Sequence, residues 1–224
     1  MTCIKAAMLA LGVAMPMSAS ATTDDFQAWT AFNITGNLSP KIVANLELQG
    51  RFVDDASRLG VVIVRPSIGL KISDAVVLHL GYAHQTTIQR GTRDINENRW
   101  YQQTSWRVGK IGSATVNSRT RIELRTVERA RDTGWRLRQR VQLQFPLRVK
   151  GAHAIAQSES FFALNSTDWG ARAGFDQVRN FIGVAFPLSA RLQAETGFQH
   201  RYQRRVGAAD RSDFIVPLTL TLKL

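Results

Sequence analysis

Two stretches of the chain place arginine at alternate positions: Arg119, Arg121 and Arg125 around Glu123 in "RTRIELR", then Arg136, Arg138 and Arg140 in "WRLRQR". A guanidinium is permanently charged and offers a planar fork of donors, so such sets grip carboxylates or phosphates. A nucleic-acid surface, a solvated face and the inside of a closed shell would each use them. The formal net charge of +12 favours anionic partners in general. Helical periodicity would scatter these arginines around an axis and leave no apolar stripe. A period of two puts them on one face of a strand.

Other chemistry is sparse. Beyond residue 21 the histidines are His79, His84, His153 and His200. None stands in a His-x-Ser pair, which would set nucleophile and base on one strand face. No two share metal-ligand spacing, and no Gly-rich phosphate loop is present. The reading is therefore no catalytic, metal or cofactor residue. His200 shares the apolar parity of its segment with Phe198 and Tyr202.

The first 21 residues carry one charge, Lys5, then an apolar run from Ala6 to Met17 and the small-x-small ending Ala19-Ser20-Ala21. This reads as a cleavable export signal, residues 1–21, too short to span a bilayer as a helix. The single cysteine, Cys3, lies inside it, so the remaining domain, residues 22–224, has no thiolate or disulfide chemistry. Export and the lack of a binding motif set nucleic acid aside.

No later segment is apolar enough for a membrane helix. A closed β-barrel is the other way to cross, and its signature is alternating segments of about ten residues. In "KIVANLELQGRF", Ile42, Ala44, Leu46, Leu48 and Phe52 alternate with Asn45, Glu47, Gln49 and Arg51. "WRLRQRVQLQF" sets Trp135, Leu137, Val141, Leu143 and Phe145 against Arg136, Arg138, Arg140, Gln142 and Gln144. "LQAETGFQHRY" repeats the plan. A soluble sandwich also alternates, but its central strands carry longer apolar runs.

The fold expected is all-β, a single antiparallel transmembrane barrel of about 10–12 strands in a bacterial outer membrane. Eleven candidate strands fall near 26–36, 41–52, 60–72, 76–89, 98–109, 114–128, 134–146, 152–164, 176–187, 191–203 and 212–224. Short connections ("NLSP", "SDA", "KIGS", "LRVKGA", "PLSA") alternate with longer ones ("VDDASRLG", "RGTRDINE", "ERARDTG", "NSTDWGARAGFD", "QRRVGAADRS"). Short turns belong on the periplasmic side. That starts the first strand outside and conflicts with the usual even strand count, so the place of residues 22–36 stays open.

The arginines then face the lumen. The expected lumen network is Glu47, Arg99, Arg119, Arg121, Glu123, Arg125, Arg136, Arg138, Arg140, Glu159, Arg179 and Glu195, with Glu47, Glu123, Glu159 and Glu195 as the carboxylate partners. Trp29, Trp100, Trp106, Trp135 and Trp169, with Tyr82 and Tyr202, are expected at the two membrane interfaces. Arg90, Arg93, Arg129, Arg131, Arg204, Arg205 and Arg211 are loop charges that would meet lipopolysaccharide phosphates. "FIVPLTLTLKL" sets Phe214, Val216, Leu218, Leu220, Leu222 and Leu224 on one face, a terminal strand suited to the barrel-assembly machinery.

"NENRWYQQTSWR", "RTRIELR" with "WRLRQRVQLQFPL", "ESFFALNSTDWGARAGFDQVRNFIGVAFPLS" and "AETGFQHRYQRR" resemble the bacterial family known as domain of unknown function 2490. The resemblance spans roughly residues 26–220. It implies an outer-membrane barrel and supplies no activity. It implies structural roles for Arg99, Arg121, Arg138, Glu159, Asp176 and Arg179. Leu224 stands where such barrels usually end in Phe, and Pro217 interrupts the last strand. Two functions remain: a structural barrel or narrow pore with a polar lumen, and an outer-membrane lipid acyl hydrolase or transferase.

Overall fold

The computed structural model describes residues 23–224; the signal expected over residues 1–21 lies outside the described residues. It holds eleven strands: β1 (Thr23–Asn37), β2 (Ile42–Val53), β3 (Arg58–Lys71), β4 (Val76–Thr87), β5 (Ile95–Ile111), β6 (Ala114–Val127), β7 (Thr133–Pro146), β8 (His153–Ala163), β9 (Gly174–Pro187), β10 (Leu192–Gln203) and β11 (Arg211–Lys223). Each pairs with its sequence neighbours, and β11 returns to β1, closing one barrel.

Ten junctions are antiparallel, while β1 and β11 run parallel, unbroken from Thr23↔Arg211 to Thr35↔Lys223. An odd number of up-and-down strands forces one parallel junction on closure. This settles residues 22–36: from Thr23 onward they form one complete wall strand. Neither two pieces nor a segment threaded through the lumen is present among the described residues.

Alternation decides the two faces. On β6, Arg119, Arg121 and Glu123 point inward while Ile122 is 43% exposed outward. Two strand prolines break ladders locally, because Pro has no N–H to donate. Arg65 and Pro66 have no register partner on β4, and Val216 and Pro217 have none on β10. The Thr196 hydroxyl donates to the Pro217 carbonyl at 2.9 Å.

The connection over residues 54–57 departs from expectation. It is a tight turn rather than a long loop, with Asp54, Asp55 and Ala56 at φ of 56°, 56° and 57°. Successive left-handed residues are costly for side chains other than glycine. They also aim their N–H groups together, a concavity that holds anions. Here the anion is Asp25, which accepts from the Asp54 and Asp55 amides at 3.3 and 3.0 Å.

Candidate functional site

The barrel interior is a network of guanidinium groups, carboxylates and amides, built by six consecutive strands in register. Arg119 (β6), Arg140 (β7), Glu159 (β8), Arg179 (β9), Arg201 (β10) and Asp213 (β11) are successive cross-strand partners. Like charges directly opposite each other destabilise a sheet unless counter-charge reaches them. For the Arg121–Arg138 pair across β6 and β7 that charge comes from Glu123, whose side chain is 1% exposed. It accepts from Arg136 Nη2 at 2.5 Å and Arg138 Nη1 at 2.8 Å, with Arg121 Nη1 at 3.5 Å. Arg138 also reaches Glu159, which takes Arg119 at 2.6 Å. Higher up, Glu97 holds Arg99 and Arg125 at 2.7 and 2.5 Å. Lower down, Glu47 holds Arg65 at 2.5 Å.

Aromatic faces carry other guanidinium groups, since the ring quadrupole attracts cations. Phe161, 1% exposed, lies beneath Arg138 and Arg179 at 4.5 and 4.6 Å. Trp29 takes Arg51, Arg179 and Arg201 at 3.9, 5.1 and 5.5 Å. Arg121 stacks on Tyr101 at 4.1 Å. Tyr101 in turn covers Gly81, its cross-strand partner, where any Cβ would meet the ring at 2.2 Å.

The structure brings the twelve expected network residues to the interior. One expectation fails in detail. Glu195 lines the central cavity but makes no ion pair among the described residues. Arg140 and Arg179 flank Glu159 on the ladder, yet Glu159 is taken by Arg119 and Arg138, which reach across from neighbouring positions. Arg51, Arg65, Glu97, Arg201 and Asp213 join the network and stand at the same inward parity as the residues expected there.

Three placements are corrections. Trp29 is 4% exposed and inside the barrel, because Arg51, its partner across β1 and β2, offers it a cation. Trp169 folds over the mouth onto Arg125 at 4.8 Å, and its Nε1 donates to the Asp132 carbonyl at 2.9 Å. Arg211 is not a loop charge: it binds Asp25 and Asp213 at the upper rim at 2.9 and 2.7 Å. By contrast, Trp100 and Trp135 are 63% and 46% exposed on the outer face, with the Tyr82 ring tilted against Trp100 at a centroid distance of 4.9 Å.

The connection between β8 and β9 is latched to the one between β6 and β7. Asp168 accepts from the amides of Arg131 and Asp132 at 2.9 and 3.2 Å, and Asp132 accepts from the Asp168 amide at 2.7 Å. The Arg131 amide, followed by that of Asp132, holds the Asp168 carboxyl below its usual range. A depressed folded value means that this contribution is complete above the unfolded value, about pH 4, and lost as pH falls through the folded one. We expect Trp169 fluorescence to stay constant from pH 7 to 5 and change at lower pH. Asp168→Ala is expected to show the low-pH spectrum already at pH 7.

His200 Nε2 lies 2.8 Å from Ser212 Oγ on the outer face, beside Phe214. The two come from neighbouring strands, so no sequence spacing announces them. A nucleophile and base at this distance also need an orienting third group. Among the described residues no hydrogen bond to His200 Nδ1 supplies one.

Three cavities lie in file inside the barrel. The mouth, about 550 Å³, is bordered by Trp169, Arg172 and Arg204, and shares Glu97, Arg125, Arg136, Gln177 and Gln203 with the centre. The central cavity is about 460 Å³. It shares Asn33, Glu47, Arg65, Arg119 and Thr221 with a lower one of about 260 Å³ that reaches His79, Tyr101 and Arg121. Ten arginines and three carboxylates line the centre, so its field is positive.

The family model described as "Protein of unknown function (DUF2490)" matches residues 26–212. An uncharacterized protein of Methylorubrum extorquens is 36% identical over 203 residues, covering 89% of this chain and 88% of that protein. No solved structure matches the chain.

Proposed function

The chain belongs to the family described as protein of unknown function (DUF2490), and we propose from that premise that it is an outer-membrane barrel whose arginine-lined lumen passes small anions. The observation that carries this reading is the file of three cavities, each sharing charged lining residues with the next. Rings of Arg or Lys select anions in pores. The ion pairs that cross the lumen narrow the path and set an upper size for what passes.

Membrane residence draws its support from the outer face. Ile68, Leu80, Trp100 and Ile182 are each more than half exposed, and Val62, Val64, Ile122, Val141, Val184 and Leu218 extend the apolar surface around the wall. Water would oppose so large a surface, whereas lipid accepts it. Strands of 11–17 residues meet or exceed the roughly 9–11 that a tilted crossing needs. With the short connections periplasmic, β11 ends there, and the basic residues Arg90, Arg93, Arg131, Arg204 and Arg205 face lipopolysaccharide. The apolar outward row of β11 suits recognition by the assembly machinery.

The acyl hydrolase or transferase alternative rests on the His200–Ser212 contact alone. An efflux assay tests the pore: liposomes loaded with a chloride-sensitive dye should lose chloride faster when they contain the refolded barrel. Equal rates with and without protein would sink this reading.

A further inference from the structure

Six side-chain atoms in the barrel are buried without a hydrogen-bond partner, and all six are nitrogens: Nε of Arg65, Arg119, Arg140 and Arg179, Arg121 Nη1 and Gln199 Nε2. No oxygen is left over among the described residues. Buried donors without acceptors are costly, and charged ones more so. An interior whose unmet need is wholly on the donor side is complementary to an acceptor-only ligand.

The charge imbalance has the same location. Arg51, Arg140 and Arg179 all line the central cavity, and none forms an ion pair among the described residues. Among the described residues the Arg51 guanidinium bonds only the neutral Gln49 amide oxygen, at 2.9 and 3.2 Å. The Arg179 side chain forms no hydrogen bond among the described residues and lies against the rings of Trp29 and Phe161. Since Arg51 and Arg179 both lie on Trp29, their guanidinium carbons are no farther apart than those two ring distances laid end to end.

We propose that the central cavity is a binding site for a phosphate-class oxyanion, held by Arg179 and Arg51 with Arg140 as a further cation in the same wall. Guanidinium forks match oxygens of such an anion in pairs, which chloride cannot offer. A dianion also offsets more of the uncompensated charge than a monoanion. The anion is free rather than a lipid headgroup, because the wall is a closed barrel whose strand pairing is interrupted only over the two-residue stretches Arg65–Pro66 and Val216–Pro217 among the described residues, which opens no wide lateral gap for acyl chains. The site deepens the anion-passage reading and rests on the same positive lumen, yet binding does not require passage.

The test uses the full refolded chain in maltoside micelles and phosphorus NMR of added inorganic phosphate, at ionic strength fixed with chloride. Wild type should broaden the phosphate line saturably, and Arg179→Gln should weaken binding at least tenfold. Arg191→Gln, exposed on the turn between β9 and β10, should bind as wild type does. Arg51→Gln replaces Arg179→Gln if the latter does not fold, with the same loss expected. No saturable broadening in wild type, undiminished binding in the lumen variant, or loss in Arg191→Gln overturns the site. Phosphatidylglycerol added to the micelles is the lipid arm: displacement of bound phosphate by that lipid would overturn the assignment to a free anion. Binding without chloride efflux would retain the site and reject the passage; efflux without binding would do the reverse.

Discussion

Glu123→Gln should destabilise the barrel by about 3–5 kcal/mol, the usual result of removing one partner from a buried ion pair. The substitution keeps shape and removes charge. It leaves Arg136 and Arg138 without their closest carboxylate oxygens and Arg121 without its 3.5 Å neighbour, all on groups almost shielded from water. A neutral amide oxygen still accepts hydrogen bonds but cannot offset three cations. Urea unfolding in micelles, followed by tryptophan fluorescence, measures the loss. Glu47→Gln is the comparison: its side chain is 26% exposed and pairs with Arg65 alone, so its cost should be a fraction of that. Equal costs at the two positions would mean that burial and multiplicity of partners do not govern the network.

Phe161→Ala should cost a similar amount, about 3–5 kcal/mol, through a different cause. The ring is 1% exposed, and the guanidinium groups of Arg136, Arg138 and Arg179 lie 4.5–5.5 Å from its centroid. Truncation creates a void and removes a shared cation–π platform, so the arginines lose a fixed geometry while keeping their charge. The void also adjoins the central cavity, which Phe161 lines. Ion flux should therefore rise as stability falls. Phe162→Ala, the neighbour on the outer face, should change flux little, because its side chain never enters the lumen. If both variants left stability and flux unchanged, Phe161 would not be a wall of the passage.

Period-two alternation sorted Glu47, Glu123, Arg138 and Glu159 to the interior, because a strand side chain can go only in or out and one register slip would reverse them all. The same rule reaches Arg51, Arg201 and Asp213, once their segments are placed in the wall. It does not choose partners. Glu159 bonds Arg119 and Arg138 rather than its cross-strand neighbours, and Glu195 bonds none, since long side chains reach positions that backbone register does not fix. Trp29 was illegible for a related reason: an aromatic ring suits a lipid interface as well as a stack under guanidinium groups, and only the cross-strand Arg51 decides between them. The parallel closure of β1 on β11 joins the two ends of the chain, and no local pattern announces a contact of that separation. The His200–Ser212 contact joins residues on two different strands, so no His-x-Ser spacing announces it, for a similar reason.

A positively charged lumen that passes anions is the core of the proposed function. Its most direct test is the reversal potential of single-channel current from the purified barrel in a planar bilayer under a potassium chloride gradient. An anion path should give small discrete steps whose reversal potential lies on the chloride side, moving toward zero in Arg179→Gln. A reversal potential on the potassium side, or a folded barrel that passes no current at all, would contradict it.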